Sequence, residues 1–469
     1  MKKLAFYILP ALFALVQFSC KKELNAPPAN AIVSTDVIQD GKSAQIALNG
    51  VYYRLAGVAM YGAVPSDWYE DRHEDAGAFM SGYLVSNYED GLSTNAAEFA
   101  GTQFVLPMWT NFYQVVNAAN GVIEGVTGLA SGRIPDTAKS RILGEAHFLR
   151  AYGHYCLLMY YAQFFDTTSA YGVLLRKTFV TTNNIVQARS TVRESYAYIL
   201  ADIDTAVANA ATTNLPYYAT TWAAKALEAR LLINRAGPGD YAQVITLTQD
   251  IIQNGGFTLE NNLKDIFYTN GLASKEVILG VTPEPNQYIK HDDYLNYPEW
   301  NATQQMIDLL QGDPRSGWVA GQAFNPYFGD SSLCVTKYLP TTLGENGYIF
   351  RLSEMYLLEA EAIARSGGNL TDARTLLETV MSHAGVTDFT AVNNASTADS
   401  LLIRINNEVV KNLCYEDGLE WFSLLRMPFA QVQAMRPTII SKDQYIMPVP
   451  QSELDLNGSM KQNPGYPTQ

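Results

Sequence analysis

Long segments of this chain carry apolar residues at alternating spacings of three and four, a rhythm that fits a helix with one buried face. In PMWTNFYQVVNAANGVIEGV the residues Trp109, Phe112, Val116, Ala119, Ile123 and Val126 follow it, with Pro107 near the start, where a missing N–H is tolerated. EAHFLRAYGHYCLLMYYAQFF repeats it through Phe148, Tyr152, Tyr155, Met159 and Ala162. TVRESYAYILADIDTAVANA does so through Val192, Tyr196, Ile199, Ile203 and Ala206. The expected fold is mostly α.

An internal echo extends the pattern. LEARLLINRAGPGDYAQVITLTQDII from Leu227 and LEAEAIARSGGNLTDARTLLETVM from Leu358 each read as an alanine-rich helix, a glycine-containing turn and a second helix, beginning near Ala242 and Ala373. Small residues such as Ala229 and Ala360 let paired helices approach closely, the packing logic of tetratricopeptide-like helix hairpins. A helical scaffold is expected over roughly 36–56, 107–254 and 346–427. Two stretches have another texture, aromatic and rich in Gly and Pro: roughly 57–106 and 255–345, with short strand-like pieces such as EVILGV. Long loops of this kind inside a compact domain are usually functional or disordered, and the aromatic content argues against disorder.

Composition narrows the function. The chain has 469 residues, 48% of them hydrophobic, enough to bury a large core. Thirty-two Lys and Arg against 46 Asp and Glu leave a net charge of −14, which repels phosphate backbones and argues against nucleic acid. Apart from Cys20, the cysteines Cys156, Cys334 and Cys414 are far apart and odd in number, so they read as core packing rather than a disulfide or metal framework.

Lys2 and Lys3 precede LAFYILPALFALV, an apolar run of signal-peptide length, too short to span a membrane and interrupted by Pro10. Ser19 stands directly before Cys20, and the whole is similar to a bacterial lipoprotein signal, although Gln17 and Phe18 depart from its usual pattern. The expectation is a leader over 1–19, a lipid on Cys20 and a mature domain over 20–469 behind the tether APPANAIVST. Each buried acyl methylene adds roughly 0.8 kcal/mol, so two or more chains make such an anchor durable.

Seven segments then carry a more specific resemblance. They are MWTNFYQVVNAANGVI from Met108, GEAHFLRAYGHYCLLMYYAQF from Gly144, RSTVRESYAYILADIDTAV from Arg189, WAAKALEARLLI from Trp222, RLSEMYLLEAEAIARSG from Arg351, NNEVVKNLCYEDGLEWFSLLR from Asn406 and the closing YIMPVPQSEL with QNPGY ending at Tyr466. In this order they resemble the SusD/RagB family of lipid-anchored, nutrient-binding outer-membrane proteins. Asp417, Glu420 and Ser423 stand where that family more often has Glu, Arg and Asp, a departure that puts local ion pairing in doubt. The resemblance implies a helical scaffold beneath an irregular, ligand-binding half. It also implies capture of an oligosaccharide or polysaccharide fragment, or in some branches a peptide, for a TonB-dependent, SusC-like transporter. No cofactor and no catalysis follow from it. The anchored protein is expected to face the cell surface, although Lys21 and Lys22 replace the acidic residues that often follow the cysteine in surface-exposed members.

Sugars present flat C–H faces and hydroxyl edges, so a site for them needs exposed rings beside carboxylate, amide or guanidinium groups. The first irregular stretch offers Asp67, Trp68, Tyr69, Arg72 and Tyr83, and the second offers Tyr294, Tyr297, Trp300 and Trp318. Each ring could equally fill a gap under its own loop. The five carboxylates between Asp67 and Asp75 fit no EF-hand spacing and read as a solvated acidic loop rather than a Ca²⁺ site. His147 and His154, seven residues apart on a helix, are too distant to share a metal ion. A tethered glycoside hydrolase is the catalytic alternative, but abundant carboxylates alone are no evidence, and HExxH, GxSxG and Walker loops are absent. A helical-repeat scaffold that binds other envelope proteins is the third reading. It leaves the loop aromatics unexplained.

Overall fold

The structure, a computed structural model, describes residues 38–61, 64–69, 73–86, 91–96, 104–283, 289–296, 300–325, 329–339 and 343–467. The leader, Cys20, Arg72 and Tyr297 lie outside the described residues.

Side-chain caps open several helices, each satisfying amides that a first turn leaves free. Asp40 accepts from the Ser43 amide at the start of α1 (Gly41–Leu55). After the hairpin β1 (Val58–Tyr61) and β2 (Val64–Tyr69), the short helix α2 (His73–Ser81) and strand β3 (Leu84–Ser86), the chain enters α3 (Val105–Gly128) and α4 (Asp136–Tyr161). Thr191 and Glu194 form a reciprocal cap on α5 (Val192–Asn209), and Thr220 caps α6 (Thr221–Arg235). Between α6 and α7 (Asp240–Asn254) the backbone turns through Ala236 at φ 51° and Gly239 at φ 85°, left-handed geometry that glycine adopts without steric cost. The chain then runs through β4 (Val277–Val281), the helical turns Ile289–His291 and Asp292–Asn296, β5 (Trp300–Ala302), α8 (Gln304–Leu309), β6 (Ala320–Asn325), β7 (Asp330–Val335) and β8 (Gly347–Arg351). Helices α9 (Leu352–Arg365), α10 (Leu370–His383), α11 (Thr390–Asn393), α12 (Ala398–Leu413), α13 (Leu419–Leu425), α14 (Phe429–Met435) and α15 (Gln451–Leu456) complete it.

The architecture is mostly α, a scaffold of tetratricopeptide-like hairpins. Helix α3 packs on α4, α4 on α5, α6 on α7 and α9 on α10, while α9 also packs on α7, so the two echoing hairpins are neighbours. Phe112, Phe148, Tyr152, Ile199 and Ile203 are fully buried along the stripes that the periodicity marks. Each such side chain contributes roughly 1.5–3 kcal/mol by leaving water. Ala229 and Ala360, also fully buried, sit on α6 and α9. Cys156, Cys334 and Cys414 are buried free thiols.

The stretches expected to be irregular contain more order than the sequence conveys. Among the described residues they hold strands of four two-stranded antiparallel sheets, β1–β2, β3–β5, β4–β8 and β6–β7. The pair β3–β5, with Ser86 opposite Trp300, joins the two loop stretches directly.

Buried ion pairs tie these elements to the helices. Arg230 on α6 holds Glu354 at 2.7 Å and also Asp417, and Arg351 at the end of β8 holds Glu276 at 2.6 Å and Glu416 at 2.7 Å. Both arginines are at most 1% exposed, so losing one partner would cost about 3–5 kcal/mol. Asp417 also meets His73 at 3.0 Å and the Tyr152 hydroxyl at 2.7 Å, which answers the sequence-level question about pairing at this position. Glu420 is different. It is fully buried and makes no ion pair among the described residues. Close by, α2 and the loop before α13 nearly touch: a Cβ on Gly77 would lie 2.4 Å from Cα of Gly418, itself at φ 72°.

Candidate ligand-binding surfaces

Hairpin β1–β2 runs antiparallel, with Val58 opposite Tyr69 and Tyr61 opposite Val64. It places Asp67, Trp68 and Tyr69 consecutively on β2; their side chains lie outside what is described. Directly after it, α2 carries Glu74 and Asp75 in its first turn, and these are not the solvated acidic loop expected from the sequence. Asp75 is 2% exposed, and Glu74 lies 2.5 Å from the Lys290 ammonium. Lys290 also donates to the Asn346 carbonyl at 2.9 Å, and the amides of Lys290 and His291 donate to the Glu345 carboxylate at 3.2 and 3.1 Å. This lattice gathers α2, the turn Ile289–His291 and the loop before β8 around a cavity of about 20 Å³. Such a volume holds a water and little more, so this cavity is too small for a sugar ring.

Three of the expected ligand rings are core residues, a correction to the sequence reading. Tyr294 is fully buried because its hydroxyl donates to Asp75 and its ring stacks on Tyr338, with centroids 5.9 Å apart at 16°. Trp300 is 2% exposed, edge-on to Phe79 at 5.4 Å and tilted against Phe104 at 5.8 Å. Tyr83 is 5% exposed, and its backbone carbonyl accepts from the Tyr415 hydroxyl. Burial pushes the Tyr83 phenol well above its usual range.

Trp318 stays half-buried, just before β6, with its indole N–H on the Pro314 carbonyl at 3.2 Å and its ring beside Phe267 and Tyr268. The sequence reading missed Phe324. It is 63% exposed on β6, opposite Ser331 of β7, and the hairpin packs against the turn Asp292–Asn296. The turn-like NPYFGD between two strand-length runs was the signal that could have found it.

His154, His147 and Glu361 are tied into the scaffold by burial and pairing. Burial lowers the His154 imidazole to about 3, and its Nε2 accepts the Arg176 amide at 3.2 Å. His147 pairs with Asp202 at 2.7 Å. Burial raises Glu361, but Arg426 and Arg365 outweigh it and hold the carboxyl at about 2. Among the described residues no group of three or more His, Cys, Asp or Glu side chains is placed to hold a metal ion.

The fold is a helical-repeat scaffold that carries a face built from two-stranded hairpins. The comparisons supply the family. Residues 34–233 match the SusD-like family model described as starch-binding, associating with outer membrane, and residues 335–466 match the SusD family model. The chain belongs to the SusD/RagB family, whose members associate with the outer membrane. A SusD-like protein of Bacteroides ovatus is 25% identical over 317 residues, and the match spans 57% of each chain. A SusD superfamily protein of Bacteroides thetaiotaomicron superposes with a TM-score of 0.75 at 20% identity, over 91% of this chain and all of that one. A laminarin-binding SusD-like protein does so with a TM-score of 0.72 at 18% identity, over 91% of this chain and 100% of its own. Among the described residues no helix is long and apolar enough to cross a membrane.

Proposed function

We propose that this protein is a lipid-anchored capture module that binds an oligosaccharide or polysaccharide fragment on its loop half and passes it, uncut, to a TonB-dependent, SusC-like transporter. The observation that carries the reading is the match of residues 34–233 to a family described as starch-binding and associating with the outer membrane. The laminarin-binding neighbour, similar across almost the whole fold, supports a glycan as the ligand class. Trp318 and Phe324 offer ring faces on the outside of the loop half, and Trp68, Tyr69, Asp67, Arg72 and Tyr297 are the further candidate contacts on its neighbouring stretches. Rings of this kind contribute roughly 1.5–3 kcal/mol each before ordering costs, which gives micromolar to millimolar affinity for a short glycan. The proposed anchor is Cys20, after removal of residues 1–19. A glycan array on residues 21–469, followed by calorimetry on the hits and chromatography for released products, tests the reading. Saturable binding without turnover is expected; product release, or no glycan bound, overturns it.

A further inference from the structure

Away from the loop half, α3 carries the half-buried Tyr113 and the edge of Trp109, 7% exposed, at the wall of a cleft of about 290 Å³ between this helix, the extended segment 174–180 and α15. That volume lies at the lower edge of the roughly 300–1,000 Å³ typical of small-molecule sites. Trp109 and Tyr113, one turn apart, have centroids 4.9 Å apart at 60°. Tyr161 braces Trp109 from behind, edge-on at 5.1 Å. The Tyr113 hydroxyl is pinned to the Leu174 carbonyl at 3.0 Å, which fixes its ring plane. Around the rings stand Gln114, Asn117, Arg176 and Glu453. Arg176 also donates to the Asn184 and Ile185 carbonyls at 2.7 and 2.5 Å. One Glu453 carboxylate oxygen accepts from Asn457 at 2.9 Å, and the other is free for a ligand among the described residues. The Gln114 side-chain carbonyl is buried and has no hydrogen-bond partner among the described residues. Ring faces, amides, one cation and one anion are the mixture that a neutral polyol with flat C–H faces requires.

A peptide fits less well. Peptides commonly add to a free strand edge, through backbone hydrogen bonds. The extended wall of this cleft has spent that edge on its own neighbours. The carbonyls of Arg176 and Thr178 accept from Asn120 at 2.9 and 3.0 Å, and that of Leu175 accepts from Gln187 at 3.1 Å. The amides of Phe179 and Val180 donate to Glu124 and Asn117, both at 2.7 Å. Recognition here falls to side chains. A separate cleft of about 110 Å³, lined by Leu175, Lys177, Thr178, Asn184 and Gln187, shares Arg176 with the first.

We propose that the cleft formed by Trp109, Tyr113, Gln114, Asn117, Arg176 and Glu453 is a second saccharide-binding site, on the helical scaffold and separate from the loop half. It takes its ligand class from the proposed function and adds a second point of attachment for a long glycan, so that two weak sites on one body hold a polymer more tightly than either alone.

The chain has six tryptophans, Trp68, Trp109, Trp222, Trp300, Trp318 and Trp421, so ¹⁹F NMR of 5-fluorotryptophan-labelled protein reads both sites in one titration. The probes are laminarihexaose and maltohexaose, with resonances assigned by single Trp→Phe variants. The expected result is a saturable shift of the Trp109 resonance with at least one sugar, weakened tenfold or more by Thr110→Arg, a change at an exposed position on the rim. Circular dichroism melting of that variant should match the parent. A static Trp109 overturns the second site, and if Trp68 or Trp318 shifts in the same titration the loop-half reading stands without it. A shift at Trp109 with both loop tryptophans static keeps the cleft and removes the loop-half site. Trp109 responding to a casein peptide digest and to neither sugar assigns the cleft to peptides and overturns the proposal.

Discussion

The Lys290 ammonium lies 2.5 Å from the Glu74 carboxylate, and the pair bolts together two loop stretches that are far apart in the chain. Burial raises the Glu74 carboxyl and the nearby Lys290 charge opposes that rise. Lys290→Met removes the ammonium but keeps the stem, and leaves a largely desolvated carboxylate without its cation. The expected loss is about 2–4 kcal/mol, near the lower end for a broken buried pair because Glu74 keeps some solvent contact. Hydrogen exchange should show faster opening of residues 73–81 and 289–296 in the variant, with helices α6 and α9 unchanged.

Glu420 should make stability fall as pH rises through the neutral range. Burial lifts its carboxyl from the ordinary 4.5 to about 8, so the folded state holds a proton that the unfolded chain has released. The folded state therefore binds more protons than the unfolded one between about pH 4.5 and 8, and the sign of the linkage is a loss of stability with increasing pH across that window. Glu420→Gln removes the titration. Below pH 5 the variant and parent should melt alike; the variant's advantage should grow to a few kcal/mol and level off above pH 8. A constant difference across pH 5–9 would contradict this.

Buried and exposed rings should separate cleanly on mutation. Trp300→Ala opens a cavity among Phe79, Phe104 and Tyr294, and should cost about 3–5 kcal/mol of stability. Phe324→Ala removes a ring that is 63% exposed and should leave the melting temperature within a degree or two, while weakening glycan binding about tenfold. Thermal melts beside calorimetry distinguish the two.

Gly77→Ala tests the close approach of α2 to the loop before α13. The added Cβ would meet backbone at 2.4 Å, and backbone on both sides cannot swing away as a side chain can. A loss of about 1–3 kcal/mol or more is expected, read by chemical denaturation.

The contrast between Trp109 and Trp300 explains what the sequence could convey. Helices were legible because residues such as Trp109, Phe112, Val116 and Ala119 recur with the helical period, and a helix that must bury one stripe has few alternatives. The echo at Leu227 and Leu358 was legible for the same reason and became the neighbouring hairpins α6–α7 and α9–α10. Loop aromatics carry no such period. Whether Tyr294 faces ligand or core is decided by Asp75, 219 positions away in the chain, which gives its hydroxyl a buried partner. The acidic run misled in the same way, because Lys290, which neutralises Glu74, is remote in sequence. Trp109 was legible as a core residue of α3 and is 7% exposed, but its place beside Arg176 and Glu453 depends on tertiary packing alone.

The most direct test of glycan capture on the loop half is calorimetric titration of laminarihexaose and maltohexaose into a Thr110→Arg parent protein, in which the cleft at Trp109 is blocked, and into its Trp68→Ala/Trp318→Ala derivative of matched melting temperature. The account predicts saturable micromolar-to-millimolar binding of at least one sugar to the Thr110→Arg parent, weakened about a hundredfold or more in the derivative. Equal affinity in the two proteins would contradict it.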